Sequence, residues 1–595
     1  MAKSIKVIQW KRCELLSLTD FYPFMLKRKM HDVNMVKTEC KGEPSIDFSN
    51  FEQAFRAKTT GEIIKAIIVY KLCSIDFLVN RNKELMSISR KIFGKKGFDY
   101  IMKSSFYGHF VAGESQEDIK SKLELMKKFG VGAILDYAVE SDIPQKEPAP
   151  PLKTLEKIDE LQFDIADIEK KFKRNQQLVD RRQRVVSART YFYEGEEKCD
   201  ENMEVFIKCI DKTGETSTNG FAAIKVTALG RPLMLLRLSQ ILNQTKYYFD
   251  VIAAENQSIL SEKAIAEQYF LQGLHKLGVS MTPEEAKKIF KIIDTNNNGG
   301  IDIIEWKNFL TPQLQLSKIF RAKPTAEGKS GENGFIYLSS PEVKEMEKMQ
   351  DRLHCIVERA KEKNVRLMVD AEQTYFQPAI SHMTLEAMRN FNKDSAIIFN
   401  TYQCYLKDTI PTLCLDIELS RREGFYFAAK VVRGAYMEQE RFRAHSVGYS
   451  DPIHVSYEAT NESYNNVLSL LLEEVRHRKA NIMVATHNEA SVLHAINTMK
   501  KFGIKPDDKT VFFGQLLGMC DVITYALGSA GYAAYKYVPY GPVEDVMPYL
   551  SRRAMENRSL MKGVIKERSM LWSELGRRFR NGALWHNPSL IANLK

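Results

Sequence analysis

The 595-residue chain contains no run of about 18 apolar residues, so no segment is predicted to cross a membrane. Its nine cysteines are scattered from Cys13 to Cys520 without a Cys-x-x-Cys pair, which argues against a disulfide framework or a cysteine zinc site. A reducing compartment is the simpler interpretation. The 31 glycines and 19 prolines exclude a collagen-like chain, and the 44% hydrophobic content excludes a wholly disordered one.

The sequence also lacks a basic cluster with interleaved aromatic residues, so nucleic acid is not an expected partner. The balance of 86 basic and 75 acidic residues gives a mild net charge of +11. A slightly basic solvated surface explains it, and attraction to anionic lipid or to a phosphate-bearing cofactor stays open. The first thirty residues are basic and acid-poor, like a mitochondrial transit peptide, although arginine and serine are sparse there. Residues 1–45 are therefore interpreted as a basic segment that could be a targeting remnant.

Eight short apolar runs recur along the chain, separated by stretches long enough for a helix. They lie at 132–139, 222–228, 366–372, 396–403, 426–435, 481–488, 511–517 and 533–540. Continuous apolar strands that alternate with helices are typical of a parallel sheet buried on both faces. Eight such units predict an α/β protein with a distorted (β/α)8 barrel of the TIM type. An open doubly wound sheet is the alternative, but the GxGxxG turn that it usually carries is absent.

The remaining segments divide the chain around this barrel. Residues 50–128 show helical periodicity, and a cluster of prolines after the first apolar run cannot continue a strand or a helix. The expected order begins with a helical region at 46–131, a first strand at 132–140, and a proline-rich linker with a charged helical insertion at 141–220. A second strand and its helix follow at 221–245, and then an inserted EF-hand-like helical module at 246–335. The rest of the barrel is expected at 336–565 and a C-terminal tail at 566–595.

Polar residues stand at the carboxyl ends of five of the runs. These residues are Lys225, Asp370 with Glu372, Gln403, Arg433, and the sequence Thr486-His487-Asn488. One polar residue at a strand end means little, because every strand must reach solvent. Five runs that all end in ionisable or hydrogen-bonding residues predict an active site, since that end of a (β/α)8 barrel carries the catalytic groups.

Residues 294–305, DTNNNGGIDIIE, match the twelve-residue calcium loop of an EF-hand. The side chains of Asp294, Asn296, Asn298, Asp302 and Glu305 and the carbonyl of Gly300 occupy the ligand positions. Capping-box spacing at 282–285 predicts a helix before the loop. Only three carboxylates contribute, so a loop that keeps its shape with weak or no calcium is the alternative.

A helix is predicted after the last apolar run, starting near Pro542. It places Tyr549, Arg552, Arg553 and Glu556 on one face. Adjacent arginines suit the bidentate capture of a small carboxylate. The competing interpretation is a solvated helix surface with ordinary arginine–glutamate pairs.

Five segments together resemble the proline dehydrogenase (proline oxidase) family, in its animal mitochondrial form. The segments are VDAEQTYFQPAI, FAAKVVRGAY, ATHN, FGQLLGM and YVPYGPVEDVMPYLSRRAMENRS, and the resemblance covers about 50–140 and 220–565. The EF-hand-like insertion resembles that branch too. The resemblance implies non-covalent FAD, hydride transfer from C5 of L-proline to flavin N5 to give Δ1-pyrroline-5-carboxylate, and ubiquinone as electron acceptor. It also implies the matrix side of the inner mitochondrial membrane, with peripheral membrane association.

The resemblance also assigns roles around the substrate. Lys225, Asp370, Lys430 and Tyr436 would stand at the reacting centre, with Asp370 beside the flavin and the substrate amine. The proline carboxylate would be held by Arg552, Arg553 and Lys225. The ring would be walled by Tyr436, Leu516, Tyr537 and Tyr549. Glu140 resembles the family's ion-pair partner for an active-site arginine.

For the cofactor, the resemblance assigns contacts to residues of four strand ends and one helix. They are Asp370, Ala371, Gln403, Lys430, Val432, Arg433, Gly434, Ala435, Thr486, His487 and Glu556. Gly434 would permit close backbone approach, and Arg433 could meet the pyrophosphate. Bacterial relatives carry Arg where this chain has Lys430 and Lys where it has Arg433, so the individual roles of these two cations stay open.

Two alternatives remain at this point. The sister hydroxyproline dehydrogenases share the fold and cofactor. The ring of Tyr537 would crowd a hydroxyl on C4 of the substrate, whereas ENRS at 556–559 resembles the sister branch. The alternative from another class is a calcium-binding interaction protein that uses the EF-hand loop and whose barrel is only a scaffold.

Overall fold

The computed structural model of this chain describes residues 46–137, 196–217, 219–253, 264–276, 281–310, 338–477, 480–559 and 561–592. The basic N-terminal segment, the proline-rich linker and most of the charged insertion lie outside the described residues, as does Glu140. Within them, no helix is both long enough and apolar enough to cross a bilayer.

Eight parallel strands close into a barrel, in the order β1-β8-β7-β6-β5-β4-β3-β2. The strands are β1 Val131–Tyr137, β2 Phe221–Ile224, β3 Arg366–Val369, β4 Ile398–Gln403, β5 Phe427–Val432, β6 Ala480–Ala485, β7 Val511–Leu516 and β8 Ala533–Tyr540. All eight apolar runs are strands of this barrel, which confirms the predicted architecture. Closure is made by β1, which pairs with β8 from Val131↔Ala534 onward and with β2 at Ile134↔Phe221.

Helices surround the strands and extend the barrel at both chain ends. Before β1 lie α1 Phe51–Phe55, α2 Thr60–Cys73, α3 Asp76–Asn80, α4 Asn82–Ser104, α5 Phe106–Phe110 and α6 Gln116–Lys128. Between β1 and β3 lie α7 Glu196–Thr216, α8 Pro232–Ala253, α9 Glu267–Lys276, α10 Pro283–Ile293, α11 Ile303–Leu310 and α12 Ser340–Glu362. The later helices are α13 Gln377–Phe391, α14 Thr409–Glu423, α15 Met437–Val447, α16 Tyr457–Arg476, α17 Glu489–Phe502, α18 Asp521–Ser529, α19 Met547–Ser559, α20 Met561–Arg580 and α21 Pro588–Ala592.

Local sequence explains where several of these helices begin. Thr59 with Glu62 and Ser115 with Asp118 form capping boxes at the starts of α2 and α6, and Thr282 with Glu285 does the same for α10 as predicted. The prediction of a helix from Pro542 is wrong by five residues. The amides of Asp545 and Val546 both donate to the carbonyl of Pro542, so a turn precedes the helix, which begins at Met547.

An aromatic cluster fills the barrel at the amino ends of its strands. The ring of Phe221 lies 5.0 Å from those of Phe512 and Tyr535, and 5.7 Å from that of Phe399, measured between centroids. The guanidinium of Arg366 covers the cluster at 5.1 Å from the Phe512 ring. This end of the barrel is packed, so the opposite, carboxyl end is the one available for a site.

The 294–305 loop joins α10 to α11, and this module packs against α8. A two-residue strand, Gly300–Ile301, pairs antiparallel with Ile265–Ala266. Trp306 is fully buried, contacts Phe270, and donates its indole N–H to the carbonyl of Thr245 at 2.9 Å. The module is therefore fixed to the barrel by a large buried side chain.

We expect Trp306→Ala to lower the free energy of unfolding by about 3–5 kcal/mol, because it empties a buried site between the module and α8. Denaturant titration followed by circular dichroism measures this loss. Trp585→Ala is the control, since that ring is 97% exposed and its removal should cost less than about 0.5 kcal/mol. Equal effects of the two substitutions would contradict a docking role for Trp306.

Candidate active site

The predicted polar residues meet at the carboxyl end of the barrel. Lys225 directly follows β2, Asp370 and Ala371 follow β3, and Gln403 ends β4. Lys430 lies in the last half of β5, and Val432 ends that strand. Arg433, Gly434 and Ala435 follow β5, and Thr486 and His487 follow β6. Leu516 ends β7, and Tyr537 points inward from the middle of β8.

Asp370 is the centre of this arrangement. Its carboxylate accepts a hydrogen bond from Lys430 Nζ at 2.5 Å and another from the Tyr537 hydroxyl at 3.0 Å. The ammonium of Lys430 also lies 5.5 Å from the centroid of the Tyr537 ring. Three residues from three strands are thus held in one geometry.

Lys225 has a partner that sequence reasoning missed. Its ammonium lies 3.2 Å from Asp136 Oδ1, and both side chains are buried. Burial, together with the negative charges of Asp136 and Asp370, raises the pKa of Tyr537 far above its ordinary value, so that hydroxyl stays protonated and donates. The available signal was the acidic residue itself, because a carboxylate inside an apolar run needs a buried partner.

Arg433 is held by neutral groups. Its guanidinium donates to Asn461 Oδ1 at 2.9 Å, to Thr486 Oγ1 at 2.5 Å and to Ser491 Oγ at 2.9 Å, and it stacks 4.3 Å from the centroid of the Tyr464 ring. Lys225 and Lys430 have carboxylate partners, whereas the described residues give Arg433 none. Its positive charge is therefore oriented but not neutralised, which suits an anionic ligand. Asn461, Ser491 and Tyr464 come from helices whose sequence carries no signal of this role.

The backbone after β5 passes close to another aromatic ring. Gly434 has φ of +130°, and a Cβ there would lie 2.4 Å from the Tyr405 ring. Only glycine fits this position. Gly434 and Ala435 are exposed at the mouth of the barrel, next to the seat of Arg433.

Gln403 and His487 complete the rim on either side. Gln403 donates from Nε2 to the carbonyl of Glu372 at 2.8 Å. The amide of Leu516 donates to His487 Nε2 at 3.1 Å. Burial, reinforced by the positive charges of Lys536, Arg553 and Arg433, lowers the pKa of His487 to about 3, so the imidazole is neutral.

Helix α19 brings its predicted residues over the same end. Tyr549 is buried in an apolar cluster that includes Leu550 and contacts Leu516, and Arg553 stacks 4.8 Å from the centroid of the Tyr549 ring. Arg552 is half-buried and Arg553 buried. Glu556 lies on α19 as expected, but its side chain is outside the described set.

Tyr436 is buried at the start of α15, beside a bridge that was not predicted. Glu440 of that helix accepts hydrogen bonds from the amide and hydroxyl of Thr374, both at 2.7 Å. Arg443 stacks 4.4 Å from the centroid of the Tyr375 ring. These contacts join α15 to the segment after Asp370. They depend on tertiary packing, and no local sequence pattern predicts them.

The donor set at the mouth fits a cofactor that carries a pyrophosphate and polar ring edges. Arg433 supplies an uncompensated guanidinium, Gln403 and Thr486 supply neutral polar groups, and Gly434 with Ala435 supplies accessible backbone. Lys430 adds an ammonium whose position is fixed by Asp370. FAD has these chemical features.

The predicted ligands of the EF-hand-like loop, residues 294–305, form hydrogen bonds and an ion pair within the protein. Asp294 accepts from the amides of Asn298 and Gly299, and Glu305 accepts from those of Thr295 and Asn296. Asn296 and Asn298 bond to loop amides as well, and Asp302 pairs with Arg422 of α14 at 2.5 Å. Within the described ranges, no three His, Cys, Asp or Glu residues are grouped to hold a metal ion. Calcium binding at Asp294, Asn296, Asn298, Gly300, Asp302 and Glu305 stays a prediction.

Comparison with known proteins bears on the family of the chain. A family model described as proline dehydrogenase matches residues 120–565. The chain is 46% identical over 554 residues to human "Proline dehydrogenase 1, mitochondrial", covering 92% of each chain. It is 31% identical over 529 residues to Xenopus laevis "Hydroxyproline dehydrogenase", covering 89% of each.

Among solved structures, proline utilization A (PutA) from Bdellovibrio bacteriovorus, inactivated by N-propargylglycine, aligns with a TM-score of 0.47 and 14% identity. That alignment covers 91% of this chain and 41% of the other. The family match spans most of the chain, and the curated relatives align over nearly their whole length. The chain belongs to the proline dehydrogenase family.

Proposed function

We propose that the protein oxidises L-proline to Δ1-pyrroline-5-carboxylate with FAD as its cofactor. The observation that carries this proposal is the group of Asp370, Lys430 and Tyr537 at the mouth of the barrel, with the arginines of α19 beside it. A cationic helix face next to a compact polar cluster suits a small amino acid. The family membership and the 46% identity to a proline dehydrogenase support the same substrate.

Arg552, Arg553 and Lys225 would bind the carboxylate of proline. Arginine forms paired hydrogen bonds with a carboxylate, and the stacking of Arg553 on Tyr549 orients its guanidinium. Lys225 is already held by Asp136, so its ammonium is placed before the substrate arrives. Glu140 would pair with one of the arginines. Leu516, Tyr436, Tyr537 and Tyr549 would enclose the ring.

Asp370 would face the amine of the substrate. Its charge is shared with Lys430 and Tyr537, so it acts as a fixed acceptor that orients the ring nitrogen. The bound amine has to be neutral, because its nitrogen lone pair becomes the second C–N bond as the hydride leaves C5. The product of that step would be the protonated imine, which then loses its N–H proton to water to give Δ1-pyrroline-5-carboxylate. The work of these side chains is orientation and electrostatics, for which no strong base is needed.

Arg433, Thr486, Gln403, Lys430 and His487 would hold FAD together with the backbone from Val432 to Ala435. Asp370, Ala371 and Glu556 are further proposed contacts. The support is the uncompensated charge of Arg433 and the glycine at 434. FAD, when bound, supplies N5 as the hydride acceptor, and the electrons would then pass to ubiquinone.

We expect Arg552→Ala and Arg553→Ala each to raise KM for proline roughly 10- to 100-fold, because a lost charge-assisted bond costs about 1.5–3 kcal/mol. The assay is the proline-dependent bleaching of the flavin absorbance in purified protein, with Arg476→Ala on the exposed surface of α16 as the control. Protein that carries no flavin would refute the FAD proposal. Unchanged proline kinetics in both α19 variants would refute the carboxylate site.

Tyr537 provides the test against a hydroxyproline dehydrogenase. Its ring is fixed by the bond to Asp370 and by Lys430, so it cannot easily move away from a substituent on C4. We expect Tyr537→Ser to raise kcat/KM for 4-hydroxyproline relative to proline by about tenfold or more. Tyr537→Phe is the matched control, because it removes only the hydroxyl and should leave the ratio near its original value. A wild-type enzyme that prefers 4-hydroxyproline would reverse the substrate assignment.

We further propose that the protein works on the matrix side of the inner mitochondrial membrane, bound peripherally. The relatives are named mitochondrial, and a ubiquinone acceptor resides in lipid. The outer face of α20 supports a bilayer contact: Ile565, Trp572 and Phe579 recur every seven residues and are 51%, 57% and 73% exposed. The opposite face of α20 is docked, since Glu574 and Arg578 form a fully buried pair against α2.

The helix thus combines an anchored side with a free apolar stripe, and Arg568 and Arg580 flank that stripe. Ile64 and Ile68 of the neighbouring α2 are also exposed, at 44% and 50%. Aromatic and aliphatic side chains beside arginine are typical of helices that lie in the interface of an anionic membrane.

We expect Trp572→Glu to weaken cosedimentation with vesicles of anionic phospholipid by about tenfold, because one large apolar side chain no longer enters the lipid. Proline oxidation with a water-soluble acceptor should be unchanged. Ile292→Glu is the control, since this isoleucine is 62% exposed on the inserted module. If both variants bind vesicles as the original chain does, the stripe on α20 is not the membrane contact.

A further inference from the structure

A polar cavity of about 50 Å³ lies outside the barrel wall. It is formed where the N-terminal helices α2, α5 and α6 meet the turn between β7 and α18. Its charged and polar lining consists of Lys58, Glu62, Lys65, His109, Lys122 and Asp521, and Lys536 reaches it from β8. We call it the lysine pocket. None of these residues has a role in the proposed reaction.

The carboxylates of the lysine pocket are already engaged. Asp521 lies 2.7 Å from Lys58 Nζ and 2.8 Å from Lys536 Nζ, and these charges outweigh the effect of burial and lower its pKa. Glu62 accepts from the amide of Thr59 at 2.8 Å and from its hydroxyl at 3.1 Å, as part of the cap of α2. Neither carboxylate is bonded to the remaining lysines.

Two ammonium groups in the pocket have no directly bonded anion among the described residues. Among the described residues, Lys65 and Lys122 form no ion pair or hydrogen bond. Burial lowers the pKa of Lys122 to about 8. The negative charge of Glu62 opposes this shift, and the positive charges of Lys58 and Lys65 add to it. Lys65 Nζ lies beside α5, where a Cβ on Gly108 would come within 2.9 Å of it.

His109 adds an independent observation. The side chain is buried beside the backbone of Gly518, and its Nε2 makes no hydrogen bond of good geometry to the described residues. Burial, and then the nearby charge of Lys58, lowers the pKa of this imidazole to about 3, so it is neutral and can present one N–H. A buried polar atom without a partner in a cavity indicates an absent ligand or water.

We propose that the lysine pocket binds a small dianionic oxyanion of the phosphate class, held by Lys65, Lys122 and His109. The pocket has four lysines against two carboxylates, so a doubly charged anion balances it. A cavity of this size accommodates about three to four water-sized groups, which matches the oxygens of one free phosphate. The inference does not depend on the oxidation of proline.

The test uses the full chain with its cofactor, at neutral pH and constant ionic strength, with inorganic phosphate replacing chloride. We expect phosphate to raise the melting temperature in a saturable manner, because a ligand that binds only the folded state stabilises it. Lys65→Gln and Lys122→Gln should each weaken the apparent affinity at least about tenfold. Lys120→Gln, on the exposed side of the same helix as Lys122, should leave it unchanged.

Three results would overturn the proposal. The first is a melting temperature that responds to phosphate no more than to chloride. The second is a phosphate response that the Lys65→Gln variant retains. This variant is decisive if Lys122→Gln fails to fold, because Lys65 is half-buried and its replacement leaves no carboxylate unpaired. The third is equal stabilisation by acetate or by glycerol phosphate. Acetate carries only one negative charge, and glycerol phosphate is larger than the cavity.

Discussion

The carboxylate of Asp370 is the point on which the site depends. It accepts hydrogen bonds from Lys430 on β5 and from Tyr537 on β8, while Asp370 itself follows β3. Other strands separate these three in the barrel order, so the contact ties together parts of the wall that do not pair through their backbones. In a buried setting each member needs the others, because a charge or hydroxyl left without its partner carries the full cost of desolvation.

The cations near Asp370 are treated in two ways. Lys225 and Lys430 each have a carboxylate, which fixes their position and removes most of their net charge. Arg433 is fixed instead by Asn461, Thr486, Ser491 and the face of Tyr464, all of them neutral. Geometry is thus specified at both kinds of position, but Arg433 keeps more of its net positive charge than Lys225 and Lys430 do.

The barrel could be predicted from sequence because each strand is a continuous apolar run, and the polar residue that ends it marks the carboxyl edge. The same pattern located Lys225, Asp370, Gln403, Arg433 and Thr486. It could not give Asp136 its partner or place Asn461 and Ser491 around Arg433, since those contacts join elements far apart in the chain. The EF-hand-like loop at 294–305 shows the same limit of prediction from sequence. Its spacing is right for an EF-hand, but spacing could not show that Asp302 pairs with Arg422, which comes from a helix more than a hundred residues away.

The aromatic cluster beneath Arg366 has a consequence for the direction from which the site is reached. Phe221, Phe399, Phe512 and Tyr535 close one end of the barrel, and so the reacting atoms can be approached only from the other. The proposed substrate and the proposed electron acceptor would therefore both reach the flavin from the carboxyl side of the barrel.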